Sequence, residues 1–371
     1  MKKILFLFGT RPEAIKMAPL IKQFSQMEQF TVKVGITAQH REMLDQVLDF
    51  FDITPDYDLN VMLPNQTLHQ LTATLITRIT NDILLKESFD LVFVQGDTTT
   101  VLAASLAAFY QKIEVAHIEA GLRSHNMYSP FPEEINRALT SKLATYHFCP
   151  TEHAKNNLLA EGITKNLYVT GNTVIDALLL GIKRTDDTTL STTFKKIDFS
   201  KKVILVTCHR RENFGEPFNG ICKALVTIAD NYKDDVEIVY PVHPNPNVKA
   251  AAHNQLVRDN IKLINPLGYN ELIWMMNKSS FILTDSGGIQ EEAPSLGKPI
   301  LVMREVTERT EGVDAGTAIL VGSNPTKIVN EAKALLDDND HYNSIATATN
   351  PYGDGTASEK VFTILKQRFL S

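Results

Sequence analysis

The sequence predicts an α/β protein built on parallel sheets, and three observations carry that expectation. Short runs rich in β-branched and aromatic residues recur along the chain, stretches of about 10–20 residues with helical spacing lie between most of them, and the runs are almost continuously apolar. Continuous apolarity marks strands buried on both faces, and strand–helix alternation then means parallel sheets covered by helices on either side. In order, strands are expected over residues 4–8, 32–37, 91–95, 114–118, 147–149 and 167–170, then over 203–207, 236–242, 261–264, 281–284, 299–303 and 319–321. The helical spacing is plain at 133–144, where Ile135, Ala138, Leu139 and Leu143 share a face while Glu134, Arg137 and Lys142 do not. The rhythm breaks once, in the polar, threonine-rich stretch between Gly181 and Lys202. The chain therefore reads as two Rossmann-like domains facing each other across a cleft, residues 1–180 and 201–371, with a linker at 181–200. A last helix over 359–369 is able to pack on either half. Ligands of open α/β sheets sit beyond the carboxyl ends of the strands, so chemistry is expected at those ends.

Composition narrows the function classes. The 371 residues are enough for two ordinary cores. A net charge of −6 without a basic block disfavours nucleic acid or an anionic membrane as partner. Three cysteines at 149, 208 and 222 show no CxxC spacing, which argues against a stapled secreted fold and a zinc ribbon and for a reducing compartment. The apolar N-terminal run is short and passes into Thr10-Arg11-Pro12-Glu13, so it reads as a buried strand and not as an export signal. The longest other apolar segment, 101–110, is about half a membrane span. A cytoplasmic protein is expected. There is no GxGxxG after the first strand and no GxxxxGK[ST], which removes the main support for a dinucleotide redox enzyme or a P-loop NTPase.

In the first half, Gly9-Thr10-Arg11-Pro12 turns from strand to helix and leaves Arg11 and Lys16 near a helix N-terminus, a place for a phosphate or simply a solvated basic turn. Asp97 follows the strand 91–95 directly, and serves as well for an N-cap as for a site residue. Glu119 ends the next strand, and Pro132 sets Glu133 and Glu134 in the first turn of a helix, where the dipole favours carboxylates whatever their function. Acidic residues are poor strand formers, so their repetition at strand ends points to a site that holds both a general acid and a general base. In the second half, His209 ends the opening strand, and His243 occupies the parallel position one strand–helix unit later. These and His117 lack short ligand spacing, so no metal site is assigned. Ser286-Gly287-Gly288 exposes backbone N–H groups at a helix start, which suits a diphosphate; Glu292 lies one turn in, and Arg309 offers a charge partner.

Taken in order, GTRPEAIK, VQGDTTT, HIEAGLRS, PFPEEINR, HRRENFG, PVHPNP, TDSGGIQEEAPSLGKP, VTERTEG and NPYGDG resemble the non-hydrolysing bacterial UDP-N-acetylglucosamine 2-epimerases over nearly the whole chain. The resemblance implies a GT-B-like fold, usually a homodimer, interconverting UDP-GlcNAc and UDP-ManNAc with neither NAD nor metal and supplying ManNAc for cell-surface polysaccharide. The implied route eliminates UDP to a 2-acetamidoglucal and re-adds it. Asp97, Glu119 and Glu133 match the family's catalytic carboxylates, and His209 its active-site histidine. Arg11, Lys16, Ser286, Gly287, Gly288, Glu292 and Arg309 match its UDP contacts, while Leu267 and Leu272 replace a Gln and a Phe near the uracil. Gln39, Glu134, Arg210 and His243 match contacts of a second, activating UDP-GlcNAc in some members. Glu42 and Asn65 depart there, adding an anion and losing a cation, which predicts weakened binding of an activator. Rival readings are a hydrolysing epimerase that releases ManNAc and UDP, a GT-B glycosyltransferase sharing the Ser-Gly-Gly loop, and a non-catalytic nucleotide-sugar sensor.

Overall fold

A computed structural model describes the whole chain except residues 39, 40, 64, 211, 212, 244 and 371. The chain divides into two compact units, one of residues 1–180 with 352–371 and one of residues 181–351. The first holds a seven-stranded sheet in the order β3-β2-β1-β4-β5-β6-β7, made of β1 Lys2–Phe8, β2 Phe30–Ile36, β3 Tyr57–Asp58, β4 Leu91–Gln95, β5 Glu114–Ile118, β6 Tyr146–Cys149 and β7 Leu167–Val169. The second holds a six-stranded sheet in the order β10-β9-β8-β11-β12-β13, made of β8 Lys202–Thr207, β9 Val236–Pro241, β10 Ile261–Ile264, β11 Phe281–Thr284, β12 Ile300–Val302 and β13 Ala318–Leu320. Every described strand pair is parallel. Both sheets are Rossmann-like: the chain runs outward from β1 to β3, returns to the centre, and runs the other way from β4, and it repeats this with β8 and β11. Two such units make up a GT-B-like fold.

Continuous apolarity translated directly into burial. All five residues of β4 are buried, as are residues 4–8 of β1. Across that pair Phe6 stacks on Phe93 with centroids 4.5 Å apart, and Phe24 meets Phe93 edge-on at 5.4 Å. The added strand β3 has only two residues, too short for a periodicity to register.

Two boundaries differ from expectation. The terminal helix Ala357–Leu370 belongs to the first unit, one of the two placements open to it, and residues 352–371 thereby leave the range 201–371. Phe362 packs edge-on against Phe24 at 5.1 Å, and the buried Asp176 carboxylate accepts the Ser358 N–H at 2.7 Å and the Ala357 N–H at 3.2 Å. A carboxylate on a helix's leading N–H groups satisfies donors that the helix cannot pair itself. The segment 181–200 is not a linker but a folded part of the second unit. It carries the helix Asp187–Thr193, whose Asp186 cap accepts the Thr188 N–H at 3.0 Å, and it buries Leu190, Phe194 and Ile197. Phe194 stacks on Trp274 at 5.5 Å, and Trp274 Nε1 donates to Asp187 at 2.8 Å. Among the described residues, no helix is long and apolar enough to cross a membrane.

Neighbouring strands β5 and β6 set His117 opposite His147, both buried. Burial depresses the imidazole of His117 to about 3 and that of His147 to about 4. An unfolded imidazole titrates near ~6.5, so below that pH the unfolded chain binds protons that the folded one refuses. The stability these histidines contribute is therefore fully present above about pH 6.5 and is lost as the pH falls toward their folded values, at about 1.4 kcal/mol per pH unit for each. Denaturation midpoints should drop between about pH 7 and 5.5, and His147→Gln should flatten that slope. An unchanged slope in the variant would remove His147 from the account.

Candidate active site

The chemistry of the first unit gathers around the carboxyl ends of β1, β4 and β5. Thr10 caps the helix Arg11–Ser25, and Glu13, its third residue, reaches back to accept the Gly9 and Thr10 N–H groups at 2.8 and 2.7 Å. The other oxygen of Glu13 accepts the Thr98 hydroxyl at 2.6 Å, so this buried carboxylate ties the turn after β1 to the turn after β4. Burial raises its pKa and those hydrogen bonds oppose the rise.

Asp97 sits between that clamp and Arg137. Arg137 Nη2 lies 2.6 Å from its carboxylate, and Asn136 Nδ2 donates to its backbone carbonyl at 2.9 Å. Burial raises the Asp97 pKa. Arg137 opposes the rise, Glu119 and Glu133 add to it, and Lys16 opposes it. Both glutamates thus act on Asp97 electrostatically. Glu119 stands at φ +65°, the left-handed region that a glutamate rarely adopts and that costs roughly 1–3 kcal/mol. Its carboxylate is held there by an ion pair with Lys16, by Gln95 Nε2 at 2.9 Å and by Asn172 Nδ2 at 3.3 Å. Two residues on, Gly121 at φ +92° lets the helix Glu152–Ala160 come close, since a Cβ there would stand 2.2 Å from the Ala154 carbonyl oxygen. Glu133 is the first residue of the helix Glu133–Leu143 and is half-buried. Arg11 opens its own helix, also half-buried.

In the second unit, His209 follows the end of β8 by two residues and Asp285 follows β11 directly. Asp285 is fully buried; one of its oxygens accepts the N–H groups of His209 and Arg210 and the Asn213 Nδ2, each at 2.9 Å, and the other lies 3.0 Å from His209 Nδ1. Burial alone would raise its pKa, but His209 and the backbone N–H groups bring it down to about 2. Ser286 follows directly and caps the helix Gly287–Glu292. The Arg309 guanidinium lies over Gly287, where a Cβ would stand 3.0 Å from Cζ, and its Nε is 3.0 Å from Glu291. Glu292 is buried in the same helix. Leu267 and Leu272, half-buried, flank the N-terminus of the helix Tyr269–Lys278.

Residues matched to an activator site border these groups. Gln39 lies outside the described residues. Glu134 is buried and accepts the Ser124 N–H at 3.0 Å and the His125 N–H at 3.0 Å, which shapes that loop. Arg210 contributes its N–H to Asp285, and His243 Nδ1 accepts the Asn245 N–H at 3.2 Å. Glu42 and Asn65 are exposed. His117 Nε2 is 2.7 Å from the Gly96 carbonyl oxygen, and among the described residues no cluster of His, Cys, Asp or Glu is arranged to hold a metal ion.

Sequence reading passed over Glu13, Gln95, Arg137, Asn172, Asn213 and Asp285. Asp285 had the signal that found Asp97, an acid directly after a buried strand; Glu13 had the capping-box spacing to Thr10. Arg137 and Asn172 had none, because only folding brings them to Asp97 and Glu119.

A family model described as UDP-N-acetylglucosamine 2-epimerase matches residues 22–366. A UDP-N-acetylglucosamine 2-epimerase of Salmonella borreze is 54% identical over 369 residues, covering 97% of each chain. The structure of UDP-GlcNAc 2-epimerase from Neisseria meningitidis bound to UDP-GlcNAc has a TM-score of 0.89 at 51% identity, covering 98% of this chain and 100% of that one. That of the Methanocaldococcus jannaschii UDP-GlcNAc 2-epimerase in complex with UDP-GlcNAc and UDP has a TM-score of 0.79 at 36% identity, covering 98% and 99%.

The Glu13 clamp yields a direct test. Glu13→Ala would strip the acceptor from two N–H groups and a hydroxyl and should cost about 2–4 kcal/mol in denaturant unfolding, whereas Glu13→Gln, which keeps one oxygen for the N–H groups, should cost roughly half as much. Equal losses would show that the clamp's hydrogen bonds are not what the carboxylate contributes.

Proposed function

The chain belongs to the UDP-N-acetylglucosamine 2-epimerase family, and from that premise we propose that it reversibly epimerises UDP-GlcNAc to UDP-ManNAc at C2. The observation that carries the chemistry is the grouping of Asp97, Glu119 and Glu133 with Lys16 and Arg137. In the first step a carboxylate takes the C2 proton, the C–H electron pair forms the C1–C2 double bond, and the C1–O bond breaks with its electrons leaving on UDP. In the second, a carboxylic acid returns a proton to C2 from the opposite face, and the UDP oxygen closes on C1. No atom changes oxidation state overall, so the two steps ask for no redox partner.

The C2 proton is a weak acid, and its removal needs a base whose pKa lies above the ordinary carboxylate range. Asp97 has that property because of burial, with Glu119 and Glu133 beside it, and Arg137 keeps its carboxyl aimed. One carboxyl group does not serve both faces of C2, which gives a second member of the trio its use. The family resemblance assigns the N–H groups of Ser286, Gly287 and Gly288 and the cations Arg11, Lys16 and Arg309 to UDP, and Glu292 to its ribose hydroxyls. Leu267 and Leu272 make an apolar, non-stacking surround for the base. The resemblance assigns His209 to the reaction as well. The resemblance further supports a homodimer and a supply of ManNAc for cell-surface polysaccharide; light scattering should give twice the 41.4 kDa of one chain, and a monomer mass would exclude the dimer.

Incubation with UDP-GlcNAc in deuterated water should place deuterium at C2 of the recovered UDP-sugar, with no acceptor added and no free ManNAc formed. Asp97→Asn, Glu119→Gln and Glu133→Gln should each lower kcat by about 100-fold or more while UDP affinity stays within about threefold, because they act on the sugar. Absence of exchange, or wild-type turnover in all three variants, would overturn the reading.

A further inference from the structure

We propose that Asp285 is the positioning residue for His209: it holds the imidazole with Nδ1 as donor, so that Nε2 is the nitrogen offered to the substrate. The inference rests on His209 serving the reaction, and it adds which nitrogen acts and what aims it.

Three observations converge. Asp285 is fully buried while the His209 side chain is 46% exposed, so the contact joins a fixed internal carboxylate to a ring that faces outward. One Asp285 oxygen is already taken by the N–H groups of His209 and Arg210 and by Asn213, which locks the carboxylate's orientation. Asn213 is itself held, since its Nδ2 also donates to the Met303 carbonyl at 3.1 Å. The second oxygen is buried, and His209 Nδ1 stands 3.0 Å from it, with the Cys208 thiol also bearing on the carboxylate. A buried carboxylate oxygen demands a donor, and an imidazole supplies one at Nδ1 only in the tautomer that leaves Nε2 as acceptor, or when both nitrogens are protonated. Among the described residues, the ring has Asp285 3.0 Å from Nδ1, His243 with its ring centroid 6.4 Å away, and the adjoining Arg210. Asp285 thus acts through His209 and touches no substrate itself.

An amide at this position reverses the arrangement. In Asp285→Asn the amide oxygen must stay with the three donors, which turns the NH2 toward His209 Nδ1 and drives the imidazole proton to Nε2. The test is nitrogen-15 NMR of the histidine-labelled full-length protein, with the His209 signal identified by its loss in His209→Asn. In the wild type His209 should carry its proton on Nδ1, and in Asp285→Asn on Nε2. Turnover in that variant should fall about 100-fold or more, with UDP affinity within about threefold. A wild-type His209 protonated only on Nε2 overturns the inference and needs no variant to fold. Turnover of Asp285→Asn within about threefold of wild type overturns it as well. Full activity in His209→Asn would instead remove the role of His209 on which it rests, which separates that failure from an error about Asp285.

Discussion

Both units depend on one constraint, a buried carboxylate that ties together the two strand ends where the sheet reverses its direction of winding. In the first unit Glu13, following β1, reaches Thr98 beyond β4; in the second Asp285, following β11, reaches His209 and Arg210 beyond β8. The reversal leaves two turns diverging from neighbouring strands, with backbone N–H groups that no helix or strand ladder satisfies. A carboxylate accepts several such donors at once, and its burial makes each of those bonds strong and their loss expensive. The turns so fixed bear Arg11 and Asp97 in one unit and His209 and Ser286 in the other.

Clustering Asp97, Glu119 and Glu133 sets like charges against one another, and the surroundings of the site read as compensation for this. Arg137 sits on Asp97, and Lys16, Gln95 and Asn172 sit on Glu119. The same three groups hold Glu119 in a left-handed backbone conformation, so electrostatic relief and conformational strain are balanced at a single residue. Burial lifts the Asp97 pKa against the pull of Arg137 and Lys16, which is the condition for a carboxyl group to exchange protons with carbon.

A net charge of −6 is compatible with a diphosphate ligand because the relevant charge is local. Lys16 and Arg309 are each engaged by a glutamate, Glu119 and Glu291, so the cations proposed for phosphate are already held in place before any ligand arrives. Preorganised cations of this kind lose little side-chain entropy on binding.

Strands and strand-end chemistry were legible along the chain because both are local. Continuous apolar runs marked twelve of the thirteen described strands, Asp97, Glu119 and Ser286 follow strand ends, and Pro132 set Glu133 at a helix start. Where local composition misled, it did so for a physical reason: Leu190, Phe194 and Ile197 are three buried anchors dispersed in a polar, threonine-rich stretch, which composition therefore reads as a linker. The terminal helix carried no mark of which sheet it would cover, since an amphipathic face specifies burial and not a partner. By itself, then, the sequence determined the fold class, the strands and the acids at their ends. Only the tertiary structure decided that β4 lies beside β1 and β11 beside β8, that Arg137 meets Asp97 and Asn172 meets Glu119, and that Asp285 stands behind His209. Strand order and side-chain pairing depend on contacts between residues far apart along the chain, and no local pattern records them.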